Sequence, residues 1–176
     1  MALARALTAA DLPGLLAVQL ACYGEGFVEN AAVFARRLAS PANCSLVVER
    51  EGRVCAYLAA YRSVLHQITP LHGEFEAPPQ ADTLYLHDLA VLPALAGQGM
   101  AQALLQPLWQ QAIAQGLRYS ALVSVQGSEA YWARQGYAGL PPGTASGRTG
   151  LASYGEGAVY MVRQLVAPAA CHHPCP

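Results

Sequence analysis

The sequence predicts an α/β (α+β) fold, a mixed central sheet of about six or seven strands with helices packed against it. Two features carry this expectation. Residues 43–50 and 53–64 are rich in Val, Leu, Tyr and Ala and are joined by Glu51-Gly52, the pattern of a β-hairpin. Between residues 83 and 125 a strand, a long amphipathic helix and a second strand follow in order, which makes a crossover with two roughly parallel strands and a right-handed connection.

Taken in order, a short strand at 3–7 leads to Thr8, which with Asp11 three residues on forms a capping-box signal. Leu12, Leu15, Leu16 and Leu20 then give the first helix an apolar stripe, and Gly24 ends it. A second helix at 29–39 offers Ala32, Val33, Phe34, Ala35 and Leu38 for burial and stops before Pro41, because the residue preceding a proline is pushed out of helical geometry. After the hairpin, residues 66–82 hold Pro70, Gly73, Pro78 and Pro79 and read as a long loop of the kind that often carries function. The strand at 83–92 precedes a helix in which Gln102, Gln106 and Gln110 recur at helical spacing opposite Leu104, Leu105, Leu108, Trp109, Ala112 and Ile113; Pro107 should kink it. A strand at 119–125, a short helix at 129–135 capped by Ser128 and stopped by Gly136, an added short strand at Tyr137 and a last strand at 157–165 complete the chain. The expectation is one domain over 1–166 and a flexible proline-rich tail over 167–176.

Composition removes several classes of function. The 176 residues are 54% hydrophobic and carry a net charge of −1 with no lysine, so no electrostatic footprint for nucleic acid exists; Arg36 and Arg37 read as a solvated helix face. The uncharged run 89–117 is long enough to cross a bilayer, but its glutamines make it an amphipathic helix, and no membrane association is expected. Five cysteines is an odd number, and Cys22, Cys44 and Cys55 lie in apolar contexts, which suggests free thiols and a cytoplasmic setting. Leu20-Ala21-Cys22 resembles a lipoprotein cleavage site, but Asp11, Pro13 and Gly14 interrupt the apolar run that a signal peptide requires. The tail segment Cys171-His172-His173-Pro174-Cys175 matches no closed zinc spacing, and no metal is expected.

The chemistry concentrates in Leu84 to Ala101, LYLHDLAVLPALAGQGMA. Leu84 and Leu86 share one parity of the strand and Leu89 and Val91 the other, so the apolar set changes face between His87 and Asp88. An extra residue at a β-bulge produces such a change; a strand buried on both faces accounts for it too. Gly97-Gln98-Gly99-Met100-Ala101 then joins the strand to the long helix. Small residues allow a tight turn, and the unpaired N–H groups of the helix start, reinforced by the helix dipole, make a seat for phosphate. The turn lacks the Gly-Lys-Ser/Thr of a Walker loop, and Gln102 stands where a dinucleotide fingerprint needs glycine.

These residues resemble the GNAT superfamily of acyl-CoA-dependent N-acyltransferases, whose Arg/Gln-x-x-Gly-x-Gly/Ala motif corresponds to the turn at Ala96–Ala101. The resemblance extends over HDLAVLP before the turn, ALL after it, and SEAYWARQGY, which matches the family's Phe-Tyr-x-x-x-Gly-Phe helix and turn. It implies the GNAT fold: a mostly antiparallel sheet with helices on both faces, split between the strands at 83–92 and 119–125. It further implies acetyl-CoA as co-substrate, its pyrophosphate on the amides of Gly97, Gln98, Gly99, Met100, Ala101 and Gln102, and its pantetheine arm along the backbone of Leu89, Ala90 and Val91. Two positions depart from the family pattern. Ala96 replaces the usual Arg or Gln, and Trp132 stands where many members place a tyrosine that protonates the departing thiolate; Tyr131 beside it points about a hundred degrees around the helix.

The implied reaction moves an acetyl group to a primary amine of a small molecule or peptide, by direct attack in a ternary complex. His87 and Asp88, nearest the expected bulge, are candidates for a base or for holding the amine, and Tyr131 is a candidate acid. Either His87 or Asp88 equally serves to bond backbone amides at the bulge. Glu74, Glu76, His66 and His72 read as a solvated loop that can meet an amine at the cleft mouth, and Tyr154 is a spare candidate acid. The alternative is a non-catalytic CoA-binding or sensing module, motivated by Ala96 and Trp132. Superfamily members often pair, so a homodimer stays open, and the acceptor amine is not specified.

Overall fold

The structure is a computed structural model that describes residues 3–166; the expected tail and its Cys171–Cys175 run lie outside the described residues. The elements run β1 (Ala4–Ala6), α1 (Leu12–Tyr23), α2 (Ala31–Ala39), β2 (Leu46–Arg50), β3 (Arg53–Ser63), β4 (Thr83–Val91), α3 (Met100–Ala114), β5 (Tyr119–Ser124), α4 (Glu129–Arg134), β6 (Ala138–Gly139), α5 (Ala145–Ala152) and β7 (Val159–Gln164). One seven-stranded sheet takes the order β1-β2-β3-β4-β5-β7-β6. Every neighbouring pair is antiparallel except β4 and β5, which the α3 crossover leaves parallel.

The two faces of β3 show how the sheet is covered. Ala56, Leu58 and Ala60 point to one face, under Leu104, Leu105, Leu108 and Trp109 of α3. Tyr57, Ala59 and Tyr61 point to the other, under Leu15 of α1 and Phe34 of α2. The glutamine-faced helix therefore buries the stripe opposite its glutamines, and it continues through the exposed Pro107 to Ala114. Glu51 and Gly52 close the β2–β3 hairpin with φ of 51° and 74°, the left-handed pair that a two-residue turn requires.

Thr8 and Asp11 form the expected box, the Asp11 carboxylate accepting from the Thr8 N–H at 2.8 Å and from Arg5 at 2.8 Å. They launch a short 3-10 turn, from which α1 continues. The stripe of α1 differs from the leucine pattern. Leu20 is 55% exposed, and Gln19, fully buried, takes a core position because its amide exchanges two bonds with the main chain of Glu29, at 2.9 and 3.0 Å. Helix α2 begins two residues later than expected, capped by Asn30, and buries Val33, Phe34 and Arg37, whereas Ala32 and Ala35 are exposed. Only Arg36 of the arginine pair lies on a solvated face. Arg37 is buried because Glu29 meets its guanidinium with two bonds, at 2.8 and 2.7 Å.

Helix α5 has no counterpart in the sequence expectation, since Gly147 and Gly150 lower its helical propensity. Those glycines are what let it pack. A Cβ on Gly150 would lie 2.1 Å from the Ile68 carbonyl oxygen, so the helix backbone rests directly on the 64–75 segment. At α4, the Ser128 hydroxyl bonds Ser124 Oγ at 3.0 Å instead of capping the helix as expected.

Candidate active site

The parity change in β4 is a bulge. Ala59 pairs with Asp88 and Ala60 with Leu86, which leaves His87 as the extra residue. The parallel pairing of β4 with β5 runs from Thr83–Tyr119 to Leu86–Leu122 and stops there. Beyond that point the strands diverge around a cleft of about 630 Å³, lined by Leu86–Leu89 and Val91 on one side, by Leu122, Val123, Val125 and Gln126 on the other, and by the start of α3 and by α4. The fork begins at the bulge: β4 keeps its ladder with β3 on both sides of the extra residue, while its pairing with β5 ends at Leu86.

At the floor of the cleft, Gly97 and Gly99 turn with φ of 74° and 81° and hand the chain to α3. Among the described residues, the N–H groups of Gly97, Gly99, Met100, Ala101 and Gln102 find no protein acceptor, as expected for a helix start. Gln98 differs: its N–H goes to the Leu95 carbonyl at 3.3 Å, and its side chain bonds Ala94 and Arg50. It is therefore removed from the proposed seat. Along β4, Leu92 donates to Cys55 at 2.9 Å, so alternation turns the backbone of Ala90 toward β3 and that of Leu89 and Val91 toward the fork. Ala90, 3% exposed, has no part in the cleft wall. The Leu89 carbonyl lies 2.8 Å from the Tyr23 hydroxyl, and the Val91 carbonyl 3.1 Å from Cys22 Sγ.

His87 and Asp88 both face the cleft, each in its own network. His87 Nε2 lies 2.7 Å from Glu29 Oε1 and Nδ1 lies 3.3 Å from the Tyr154 hydroxyl, which donates to the Thr69 carbonyl at 2.7 Å. Glu29 also accepts both guanidinium arms of Arg37 and the His72 N–H at 2.8 Å. Burial pushes the Glu29 carboxyl up, but the bonds from His87 and Arg37 outweigh it and hold the group well below the usual carboxylate range. Asp88 takes a bond at 2.5 Å from Tyr57 on one oxygen and lies 2.7 Å from the Tyr23 hydroxyl on the other. Here burial prevails, and the Asp88 carboxyl is raised above its ordinary value. Tyr23 has one hydrogen and two acceptors, Asp88 and Leu89, and donates to one of them at a time.

Tyr131 and Trp132 both line the cleft. Trp132 packs edge-on against Tyr137 with 8% exposure, while the Tyr131 hydroxyl is buried and has no bonding partner. The offset around α4 thus leaves Tyr131 in the wall. Glu74, exposed, pairs with Arg36 at 2.6 Å, and Glu76, His66 and His72 lie outside the cleft lining; the loop's contribution to the wall is Leu71. Tyr154 is in the wall as well. Tyr23, Phe27, Glu29 and Leu71 were not legible as site residues, because the spacing between each of them and His87 spans separate elements with no motif. Among the described residues, no group of three or more His, Cys, Asp and Glu side chains is placed to hold a metal ion, and no helix is long and apolar enough to cross a membrane.

Solved structures share this architecture. The ribosomal-protein-S18-alanine N-acetyltransferase of Escherichia coli superposes with a TM-score of 0.68 at 19% identity over 97% of this chain and 98% of that one. The N-acetylglutamate synthase of Neisseria gonorrhoeae, complexed with coenzyme A and N-acetyl-glutamate, gives 0.70 at 17% over 95% of this chain and 36% of that one. The GphF GNAT-like decarboxylase in complex with isobutyryl-CoA gives 0.69 at 18% over 93% and 99%. At these identities the likeness is one of fold. No curated protein matches the chain in sequence. A sequence model of the Acetyltransferase (GNAT) family, however, matches residues 13–137, from the start of α1 through the turn after α4. The chain belongs to the Acetyltransferase (GNAT) family.

Proposed function

We propose that the protein transfers an acetyl group from acetyl-CoA to a primary amine. The observation that carries this is the fork itself: a run of donors at Gly97 and at Gly99–Gln102 stands free at one end, and the Leu89 and Val91 backbone edge runs from there to the bulge. Free amides at a helix start fit a diphosphate, and an open strand edge fits an extended amide-bearing arm. Ala96 removes a side-chain contact near the phosphates, and the amides carry that end of the ligand without a guanidinium.

Transfer forms a nitrogen–carbon bond to the acyl carbonyl carbon and breaks its carbon–sulfur bond, so one proton must leave the amine and one must reach the thiolate. Holding the two reactants along one edge supplies much of the acceleration, of the order of 7–11 kcal/mol for well-aligned groups. Both nitrogens of His87 are engaged, which makes it a positioning residue for this wall. Tyr23 reaches the cleft with its hydroxyl against Asp88. The phenol oxygen takes the amine proton while its own hydrogen passes to ionised Asp88; once protonated, Asp88 donates back and Tyr23 turns its hydrogen to the Leu89 carbonyl. Tyr131, whose hydroxyl has no other partner, supplies the proton for the thiolate.

Thiol release tests the reading: acetyl-CoA incubated with the protein and a panel of primary amines yields free CoA only in the presence of a productive amine. Tight CoA binding with no transfer to any amine would replace it with the non-catalytic module.

A further inference from the structure

The acceptor wall specifies a chemical class of amine, an inference that rests on the acyl-transfer reading. Around the bulge, the wall is made by Tyr23, Phe27, Leu71 and Tyr154, with Glu29 and His87 between them. Its charge is one-sided. Among the described residues, no arginine lines the cleft and the chain has no lysine. Arg37, the nearest cation, spends two arms on Glu29 and its Nε on the Gly73 carbonyl at 2.9 Å. His87 is bonded at both nitrogens, and Arg36 is turned outward to Glu74. A carboxylate or phosphate on the acceptor would be buried without a free counter-charge and beside Asp88. An ammonium arriving at the same place meets Asp88, the carboxylate of this wall that no cation pairs, since both Glu29 oxygens are spent on Arg37, His87 and the His72 N–H.

One flank is also sealed. The 64–75 segment is fixed to α5 and to the strand after it: Leu71 N–H bonds Ser153 Oγ at 2.9 Å, Tyr154 bonds Thr69 at 2.7 Å, and His66 N–H bonds Tyr160 at 3.1 Å. Gly150 lies flat against Ile68 in the same seam. That seam fixes the apolar wall at Leu71 and Tyr154 and closes the flank along which a polypeptide acceptor would have to continue.

We propose that the acceptor is a compact primary amine with an apolar or aromatic body and no anionic group, such as an arylalkylamine, and that α-amino acids and peptide N-termini are excluded. The full-length protein is assayed with acetyl-CoA and matched acceptors: phenethylamine, isoamylamine, L-phenylalanine, L-leucine and a phenylalanine-headed pentapeptide. The simple amines should exceed their amino-acid counterparts and the peptide in kcat/KM by at least about tenfold. A Leu71→Arg variant, which adds a cation to the wall, should narrow or invert the ratio for the amino acids while binding CoA as the parent does. Equal or better turnover of the amino acids, or a preference for the peptide, overturns the inference while leaving acyl transfer intact. Binding of acetyl-CoA with no amine used or bound overturns both. Binding of phenethylamine to the CoA complex, followed in the resonances of Phe27, Leu71 and Tyr154, gives a readout independent of turnover.

Discussion

Four residues carry most of what is testable one side chain at a time. If Tyr23 relays a proton to Asp88, then Asp88 must be ionised to receive it, and burial sets its titration above the ordinary carboxylate value. The kcat/KM profile should therefore fall as pH drops through a value higher than a free aspartate shows, and Asp88→Asn should remove that limb along with about 10²-fold or more of the rate. Tyr23→Phe should lower kcat more than it raises KM. Asp11 gives a stability prediction of opposite sign. Its carboxyl is lowered to about 2 from 3.8, first by the bond from Arg5 and then, against the opposing effect of burial, by those from Thr8. A depressed acid stabilises the fold above its unfolded value and loses that contribution as pH falls toward its folded value. Urea unfolding should place Asp11→Asn about 1 kcal/mol below the parent at pH 7, with the gap closing between about pH 4 and pH 2. Arg37→Met strands the Glu29 carboxylate beside His87 in the interior. It should cost about 3–5 kcal/mol by the same measurement, much more than Arg36→Met, whose partner is exposed.

Among the elements, two contacts through glycine are the informative ones. Gly99, at φ 81°, starts α3 with open space where a Cβ would go, so Gly99→Ala strains only the backbone. It should cost about 1 kcal/mol of stability and weaken CoA binding by shifting the helix start. Gly150→Ala is different in kind, since its Cβ would meet the Ile68 carbonyl at 2.1 Å and the seam between α5 and the 64–75 segment must open. Hydrogen exchange should lose protection at Leu71 and across α5 before the sheet is affected. The elements also mark how far sequence patterns reach. The β2–β3 hairpin, the glycine turn and α3 were legible, because local period and turn chemistry determine them; the parity change at His87 was legible too, but it fitted a doubly buried strand as well as the bulge that forms. Helix α5 was not, because its stability comes from tertiary contact that low-propensity glycines permit. Arg37 misled for a related reason: a polar side chain is assigned to the surface unless its partner is known, and Glu29, which bonds both it and the buried Gln19, is offered by the sequence only as a helix start.

For the whole molecule, the division of the sheet is what converts a packed α/β domain into one with a site. Cores lie on both faces, yet β4 and β5 part at Leu86 and Leu122, and the residues that line the gap beside them come from α1, the 64–75 segment, α3, α4 and the stretch after α5. The stretches that the family resemblance picked out, Leu89–Val91 and Gly97–Gln102, lie along the cleft apart from the inward turn of Ala90 and the spent amide of Gln98. The acceptor half was readable only as the 66–82 loop and the His87–Asp88 pair, its other side chains coming from α1, the stretch before α2 and the stretch after α5. Backbone amides therefore hold the claim at its root. A nitrogen–proton correlation spectrum of the labelled protein titrated with CoA should move the resonances of Gly97, Gly99, Met100, Ala101 and Gln102 at the helix start, and of Leu89 and Val91 along the free strand edge. A spectrum in which those seven stay fixed at saturating CoA would contradict it.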